Sequence, residues 1–241
     1  MSGTLYPGTS GFAYKEWKGP FYPEDLPQAK WLTYYAEHLG SVEINYTFRH
    51  LPSDSVLEQW RTQTPESFRL TLKASQRITH FKRLVGAEAE IAEFARRAVA
   101  LGERLGVVLF QIPPNLRYSR DVLEGFLAAV PATIRAALEV RHDSWNDPEA
   151  SALLEAHSVA LCAADTAGKP LGTIPQTAPH VYLRLRKEEY TLEEIVAWAA
   201  RVRAVLDAGR DVFCYFKHEG GGVGPAYARA LGEAVADAEA G

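Results

Sequence analysis

Eight short apolar runs separated by helix-like stretches predict an α/β protein built on a mostly parallel sheet. Spread over 241 residues, the runs recur at a spacing that suits a single closed, TIM-like (β/α)8 barrel, whose usual size is about 250 residues. A third observation counts against an open doubly wound sheet. Such a sheet should enter its first helix through a glycine-rich turn, whereas GTSGFAYKEWKGPFYP passes through a long aromatic loop first. No linker, low-complexity tract or internal repeat divides the chain, so residues 1–241 read as one domain.

The runs are LYPGTSG, SVEINYTF, FRLTLKAS, GVVLFQIPP, AALEVRHDSW, VALCAADTAG, HVYLRLR and DVFCYFKHE. After the first comes the aromatic loop, with Phe12, Tyr14, Trp17, Phe21 and Tyr22. Its rings either cover a ligand site or simply pack. QAKWLTYYAEHLG then sets Trp31, Leu32, Tyr35, Ala36 and Leu39 at helical spacing and stops at Gly40. A second helix starts at Ser53. The third, AEAEIAEFARRAVALGERLG, carries Ile91, Phe94, Ala98 and Leu101 on one stripe. DVLEGFLAAV and DPEASALLEA follow the fourth and fifth runs. AGKPLGTIPQTAP, after Asp165, lacks a helical pattern, so the sixth crossover is expected to be irregular or helix-free. TLEEIVAWAARVRAVLDAG opens on a Thr cap with acids in its first turn and ends at Gly209. In HEGGGVGPAYARA, glycines precede a last helix, either as a phosphate cradle or as a plain turn.

Composition narrows the functional classes. A hydrophobic content of 47% with 23% charged residues is that of an ordinary globular protein. A net charge of −4 gives no global pull toward nucleic acid or membrane, so any anion-binding surface must be local. The N-terminus does not have the basic-then-apolar pattern of a signal peptide, and no apolar segment approaches the roughly 20 residues of a membrane span. Cys162 and Cys214 lie inside strand-like runs and read as small buried hydrophobes; a cytoplasmic location is expected.

Strand parity locates the candidate site. In a barrel, alternate strand residues point inward and the others pack on helices. Placing Val42, Ile44, Leu70, Leu72, Leu138 and Val140 outward leaves Glu43, Asn45, Thr71, Lys73, Glu139 and Arg141 inside. The same count puts Gln111, then Tyr182, Arg184 and Arg186, then Tyr215 and Lys217 inside. In the sixth run it sends Cys162 and Ala164 outward and Asp165 inward. Seven consecutive runs thus place a polar residue near the C-terminal end, where barrel enzymes build their sites. The alternative is that these charges pair only with one another in a polar core, but stability alone does not favour buried charges, and seven converging strands weaken that reading.

Glu43, Glu139 and Asp165 face Lys73, Arg141, Arg184, Arg186 and Lys217, an excess of cations that suits a small anionic or carbonyl-bearing ligand. The interleaved cations disfavour a divalent metal, although His80, His142 and His218 remain available to join the carboxylates. No cofactor is expected. Glu43, Glu139 and Lys73 are the catalytic candidates: the carboxyls as acid and base, Lys73 as proton shuttle, Schiff-base nucleophile or charge clamp. Asn45, His80, Gln111, Arg141, Trp145, Asp165, Arg184, Tyr215 and Lys217 are the binding candidates. Hydrolysis, isomerisation and lyase chemistry all fit. Glycoside hydrolysis would require the carboxyls roughly 5 to 9.5 Å apart across a cleft. Ser10 and Ser144 have no nucleophile-elbow context. Two other classes compete: a nucleic-acid protein gripping a strand or flipped base, disfavoured by the acidic net charge, and a ligand-binding barrel without turnover.

GTSGFAYKEW, FYPEDLP, VEINYTFRHLP, TPESFRLTLKASQRITH, LFQIPP and EVRHDSW occur in this order. Together they resemble the YecE-like family, domain of unknown function 72, over essentially the whole chain. The resemblance implies a TIM-barrel-like fold with a polar pocket at the strand ends; that family has no established activity, so it implies no catalytic residue. Phe12 stands where the family usually has Trp, and Arg49 where it usually has Tyr. RLRKEEY replaces an R-x-H-G pattern and FKHE an F-N-N pattern, which leaves room for a different ligand in the same scaffold.

Overall fold

In a computed structural model of the chain, which describes residues 2–166 and 171–240, the eight runs form one parallel sheet of nine strands. These are β1 (Leu5–Ser10), β2 (Ser41–Ile44), β3 (Arg69–Lys73), β4 (Leu105–Gln111), β5 (Ala136–Glu139), β6 (Ala160–Leu161), β7 (Ala163–Asp165), β8 (His180–Leu185) and β9 (Asp211–Phe216). Their order is β6-β5-β4-β3-β2-β1-β9-β8-β7. The ninth strand arises because the sixth run breaks at Cys162. Ala160 and Leu161 pair with β5, whereas Ala163 to Asp165 pair with β8. The two ends of the sheet are therefore one stretch of chain, and the barrel is nearly closed.

The helices are α1 (Trp31–His38), α2 (Asp54–Gln63), α3 (Glu88–Ala98), α4 (Arg120–Ala129), α5 (Pro148–Ala156), α6 (Leu192–Asp207) and α7 (Val223–Ala240). Between β7 and β8 no helix occurs among the described residues; residues 167–170 of the expected loop lie outside them. After α3 the chain tightens into a 3-10 stretch, Val99–Arg104, that turns at Gly102 with φ 58°. A π-helical turn, Arg77–Phe81, follows β3 and had no signature in the periodicity. Among the described residues no helix is long and apolar enough to cross a membrane.

Caps delimit the helices as their residue types suggest. Ser53 accepts a hydrogen bond from the Val56 amide at the start of α2. Thr191 and Glu194 exchange bonds in a capping box that opens α6. Thr191→Ala is expected to cost about 1 kcal/mol. In a domain of this size that lowers the melting temperature by roughly 2–4 °C, measurable by calorimetry.

Two cores result from strand alternation. Val42, Ile44, Leu70, Leu72, Val181 and Leu183 belong to the large core shared with the helices. Leu109, Ala137, Tyr182, Phe213 and Tyr215 fill the inside of the barrel. The sixth run departs from expectation. Cys162 packs inside, Ala163 joins the helix-facing core, and the Asp165 carboxylate accepts a hydrogen bond from Tyr190 at 2.9 Å. Every residue from Val159 to Ala164 is apolar, so no polar marker fixes the alternation there, and the strand changes neighbours in mid-run.

Near the N-terminal end of β4, Gly106 permits a close approach. A Cβ there would lie 2.9 Å from Thr71 Oγ1, at the shift in register between β3 and β4. Thr71 Oγ1 accepts from the Val107 amide and shares a 2.7 Å bond with the Tyr215 hydroxyl.

The aromatic loop is chiefly packing. Trp17 and Tyr22 are fully buried, Tyr22 stacks on Trp31 at 4.9 Å, and Trp17 Nε1 donates to the Glu219 carbonyl at 3.0 Å. The loop is thereby tied to the segment joining β9 to α7.

Candidate anion-binding cleft

Residues at or just after the C-terminal ends of six strands converge on one cleft of about 390 Å³. Asn45 follows β2, Lys73 and Gln111 end β3 and β4, Arg141 follows β5, and Lys217 follows β9. Arg184 on β8 and Arg186 just beyond it complete the ring, while Tyr14, Tyr46, Phe48, Arg49, His50 and Glu219 come from the loops.

Arg184 organises the floor and is only 2% exposed. Its Nη2 donates to Glu43 Oε1 at 2.8 Å and to Ser10 Oγ at 3.2 Å. Its Nη1 donates to Glu139 Oε2 at 2.5 Å and to Gln111 Oε1 at 3.3 Å. Glu43 also accepts from the Ser10 and Tyr182 hydroxyls, each at 2.5 Å, and Asn45 Nδ2 donates to Ser10 Oγ at 3.0 Å. Glu139 Oε1 takes two bonds from Arg141 and one from Arg186. Both carboxylates are buried, at 0% and 1% exposed, and a buried carboxylate is tolerated only with this degree of pairing. Burial alone would raise the Glu139 carboxyl, but Arg184, Arg141 and Arg186 outweigh it and hold the group below its ordinary value. Arg184 Nε has no hydrogen-bond partner among the described residues.

Lys73 differs from the other cations. Its ammonium lies 4.4 Å from the centre of the Phe48 ring and has no carboxylate within ion-pair distance among the described residues. Burial lowers its pKa to about 8 against the pull of Glu43 and Glu139, with Arg184 and Arg141 adding to the fall. Burial lowers Lys217 as well; its ammonium is 4.0 Å from Glu219. The Tyr14 hydroxyl, raised mainly by burial, donates to the Ser10 carbonyl at 2.7 Å.

The structure brings Asn45, Lys73, Gln111, Arg141, Arg184 and Lys217 into the cleft as expected from parity. Glu43 and Glu139 lie beneath it, joined through the Arg184 guanidinium rather than facing each other across an open gap. His80 is not among the residues that line the cleft; its ring meets Phe48 edge-on with centroids 5.0 Å apart. Three expected residues fall elsewhere. Tyr215 is fully buried below the floor, bonded to Thr71. Asp165 turns to Tyr190 on the helix side. Trp145 is buried, its Nε1 bonded to the Leu116 carbonyl, and lines a neighbouring cleft that shares Arg141 and Arg186. Among the described residues no three His, Cys, Asp or Glu side chains group as metal ligands.

Arg49, His50, Tyr46 and Tyr14 were absent from the expected site because they lie on loops, beyond the reach of strand parity. One signal did exist for Arg49, a cation where the resembled family usually has Tyr. Ser10 ends β1, and only its contacts reveal that it couples Asn45, Glu43 and Arg184.

Comparisons with known proteins agree with this fold. The family model described as "Protein of unknown function DUF72" matches residues 6–241. The crystal structure of a DUF72 family protein from Thermotoga maritima MSB8 superposes with a TM-score of 0.83 at 26% identity, over 95% of this chain and 98% of that one. A DUF72 family protein from Enterococcus faecalis V583 shares the fold, with a TM-score of 0.79 at 18% identity over 97% and 96% of the two chains. The UPF0759 protein YunF of Bacillus subtilis (strain 168) is 28% identical over 157 residues, which is 60% of this chain and 53% of that protein. The chain thus spans about half the length of that curated relative. With a match that runs from β1 to the C-terminus and a shared barrel, this chain belongs to the DUF72 family.

Proposed function

We propose that the protein is an enzyme acting on a small organic anion, with Lys73 as the group that exchanges a proton with the substrate. The carrying observation is a charge imbalance. Six Lys and Arg side chains line the cleft, against one carboxylate in its wall and two in its floor. Among the described residues three positive charges of the cleft therefore lack a counter-charge, and an anionic ligand would supply it. The volume suits a metabolite. A long nucleic-acid strand is not favoured, because the cations converge in one pocket rather than along a groove.

The two carboxylates are positioning residues in this reading. Their oxygens are occupied by donors, and their task is to hold Arg184 and Arg141 in the geometry that meets the ligand. Lys73 can gain and lose a proton near neutrality, which is what general acid–base work requires.

Lys73 is positive below about pH 8 and neutral above it, so anion affinity falls as pH rises through that value. The loss is expected to be about tenfold, roughly 1.4 kcal/mol. Turnover at saturating substrate rises at higher pH than this, because the neutral amine is the base and the bound anion makes Lys73 hold its proton more tightly. Lys73→Arg keeps the charge and should flatten both profiles.

The test is a thermal-shift screen of carboxylates, phosphates and their neutral analogues, followed by product analysis. Anions alone should stabilise the protein, with Arg186→Ala and Lys217→Ala weakening the effect. Equal stabilisation by neutral sugars overturns the anion reading. Binding without any product, in the parent and in Lys73→Ala alike, leaves a ligand-holding barrel and overturns the enzymatic one.

A further inference from the structure

Lys73 combines features that simple anion binding does not need. It ends β3 on the rigid barrel, lines the cleft, leans on Phe48 and has no carboxylate partner among the described residues. A lysine intended only as a charge clamp is best left fully solvated or ion-paired. One held beside Arg141 and Arg184 in a half-dry wall is an activated amine. We infer that the substrate is a small anion carrying a reactive carbonyl and that Lys73 Nζ forms a Schiff base with it. This rests on the anion-cleft reading above and adds a covalent step to it.

The cleft supplies each part of that step. Arg141 and Arg186, held by Glu139, present planar forks suited to a carboxylate or phosphate. Asn45 and Gln111 are neutral amide groups at the strand ends, able to bond a carbonyl or hydroxyl oxygen. Tyr14, in the same wall, keeps its proton at all ordinary pH values. At pH 7 about a tenth of a lysine with pKa near 8 is neutral.

The chemistry balances without a further reagent. The neutral amine's lone pair forms the C–N bond, and the carbonyl π pair moves onto oxygen. That oxygen takes a proton released by the nitrogen, giving the carbinolamine. The hydroxyl then leaves as water with one further proton, supplied by solvent, and the nitrogen lone pair forms the iminium bond. An iminium withdraws electrons from the adjacent carbon, which is the usual entry to isomerisation and lyase chemistry.

Trapping tests this directly. The full chain is incubated with pyruvate or with dihydroxyacetone phosphate, reduced with borohydride, and measured by intact mass and peptide mapping. Lactate and glycerol 3-phosphate, which lack the carbonyl, are the binding controls. The expected result is a mass gain of one reduced ligand on Lys73 from at least one of the two oxo compounds. The arm that labels tells carboxylate from phosphate. Lys73→Arg should lose the label while its melting temperature still rises with the matching control anion. Two outcomes overturn the inference: anions that bind but leave no hydride-stable adduct on Lys73, or labelling that is unchanged in Lys73→Arg. If neither the oxo anions nor their controls shift the melting temperature, the anion cleft itself falls and the Schiff base with it.

Discussion

Arg184→Met is expected to destabilise the protein by roughly 3–5 kcal/mol, the usual cost of breaking a buried ion pair from one side. The substitution keeps most of the side-chain volume but removes the guanidinium that joins Glu43 to Glu139. Two carboxylates then remain in an interior where Glu43 is 0% exposed and Glu139 1%. For a domain of this size the melting temperature should drop by roughly 6–20 °C. Adding Glu43→Gln and Glu139→Gln to the same protein should recover part of the loss, because the uncompensated charge is gone. The pH dependence has a definite sign. The folded-state pKa of Glu139 is lowered, so its contribution is full above the unfolded value near 4.5 and is lost as pH falls through the folded value. The gap between parent and variant should therefore narrow in acid. A variant that melts within about 2 °C of the parent at neutral pH would refute the network as a structural support.

Trp17→Ala should have a comparable effect, roughly 3–5 kcal/mol, as for other fully buried aromatics cut to Ala. Trp17 packs edge-on to Phe21, stacks over Tyr35 and tilts against Tyr14 at 4.9 Å. Its indole N–H holds the Glu219 carbonyl. Its removal leaves a cavity and unties the segment bearing Lys217 and Glu219 from the loop bearing Tyr14, and all three of those residues line the cleft. Anion affinity should fall as well, even in assays run well below the lowered melting temperature. Trp17→Phe keeps most of the packing and loses the hydrogen bond, so about 1–2 kcal/mol is expected. Thermal unfolding together with anion titration separates the two effects. Unchanged affinity in Trp17→Ala would show that the loop does not shape the cleft.

Much of this was legible in the chain. The alternation of Val42, Glu43 and Ile44 states which residues face helices, because a period of two leaves no other arrangement once one face is apolar. The same logic placed Lys73, Gln111, Arg141 and Arg184 at one mouth. It failed for Cys162 and Asp165, where Val159 to Ala164 are all apolar and the strand leaves β5 for β8. It also misjudged Tyr215, which has the right parity but lies too deep, beside Thr71. Parity sets direction, and depth depends on the stagger between neighbouring strands.

The sequence by itself determined the barrel, its crossovers and the polar character of one mouth, because hydrophobic period and turn residues are local properties. Tertiary structure alone decided which charges are already paired and which are free for a ligand. Arg184 meets Glu43 across 141 residues of chain and Glu139 across 45, and no spacing rule encodes such contacts. Closing the barrel turns the two carboxylates that looked like an acid–base pair into counter-charges for Arg184. It leaves Lys73, half-buried among cations and without a carboxylate partner among the described residues, as the group on which the proposed chemistry rests.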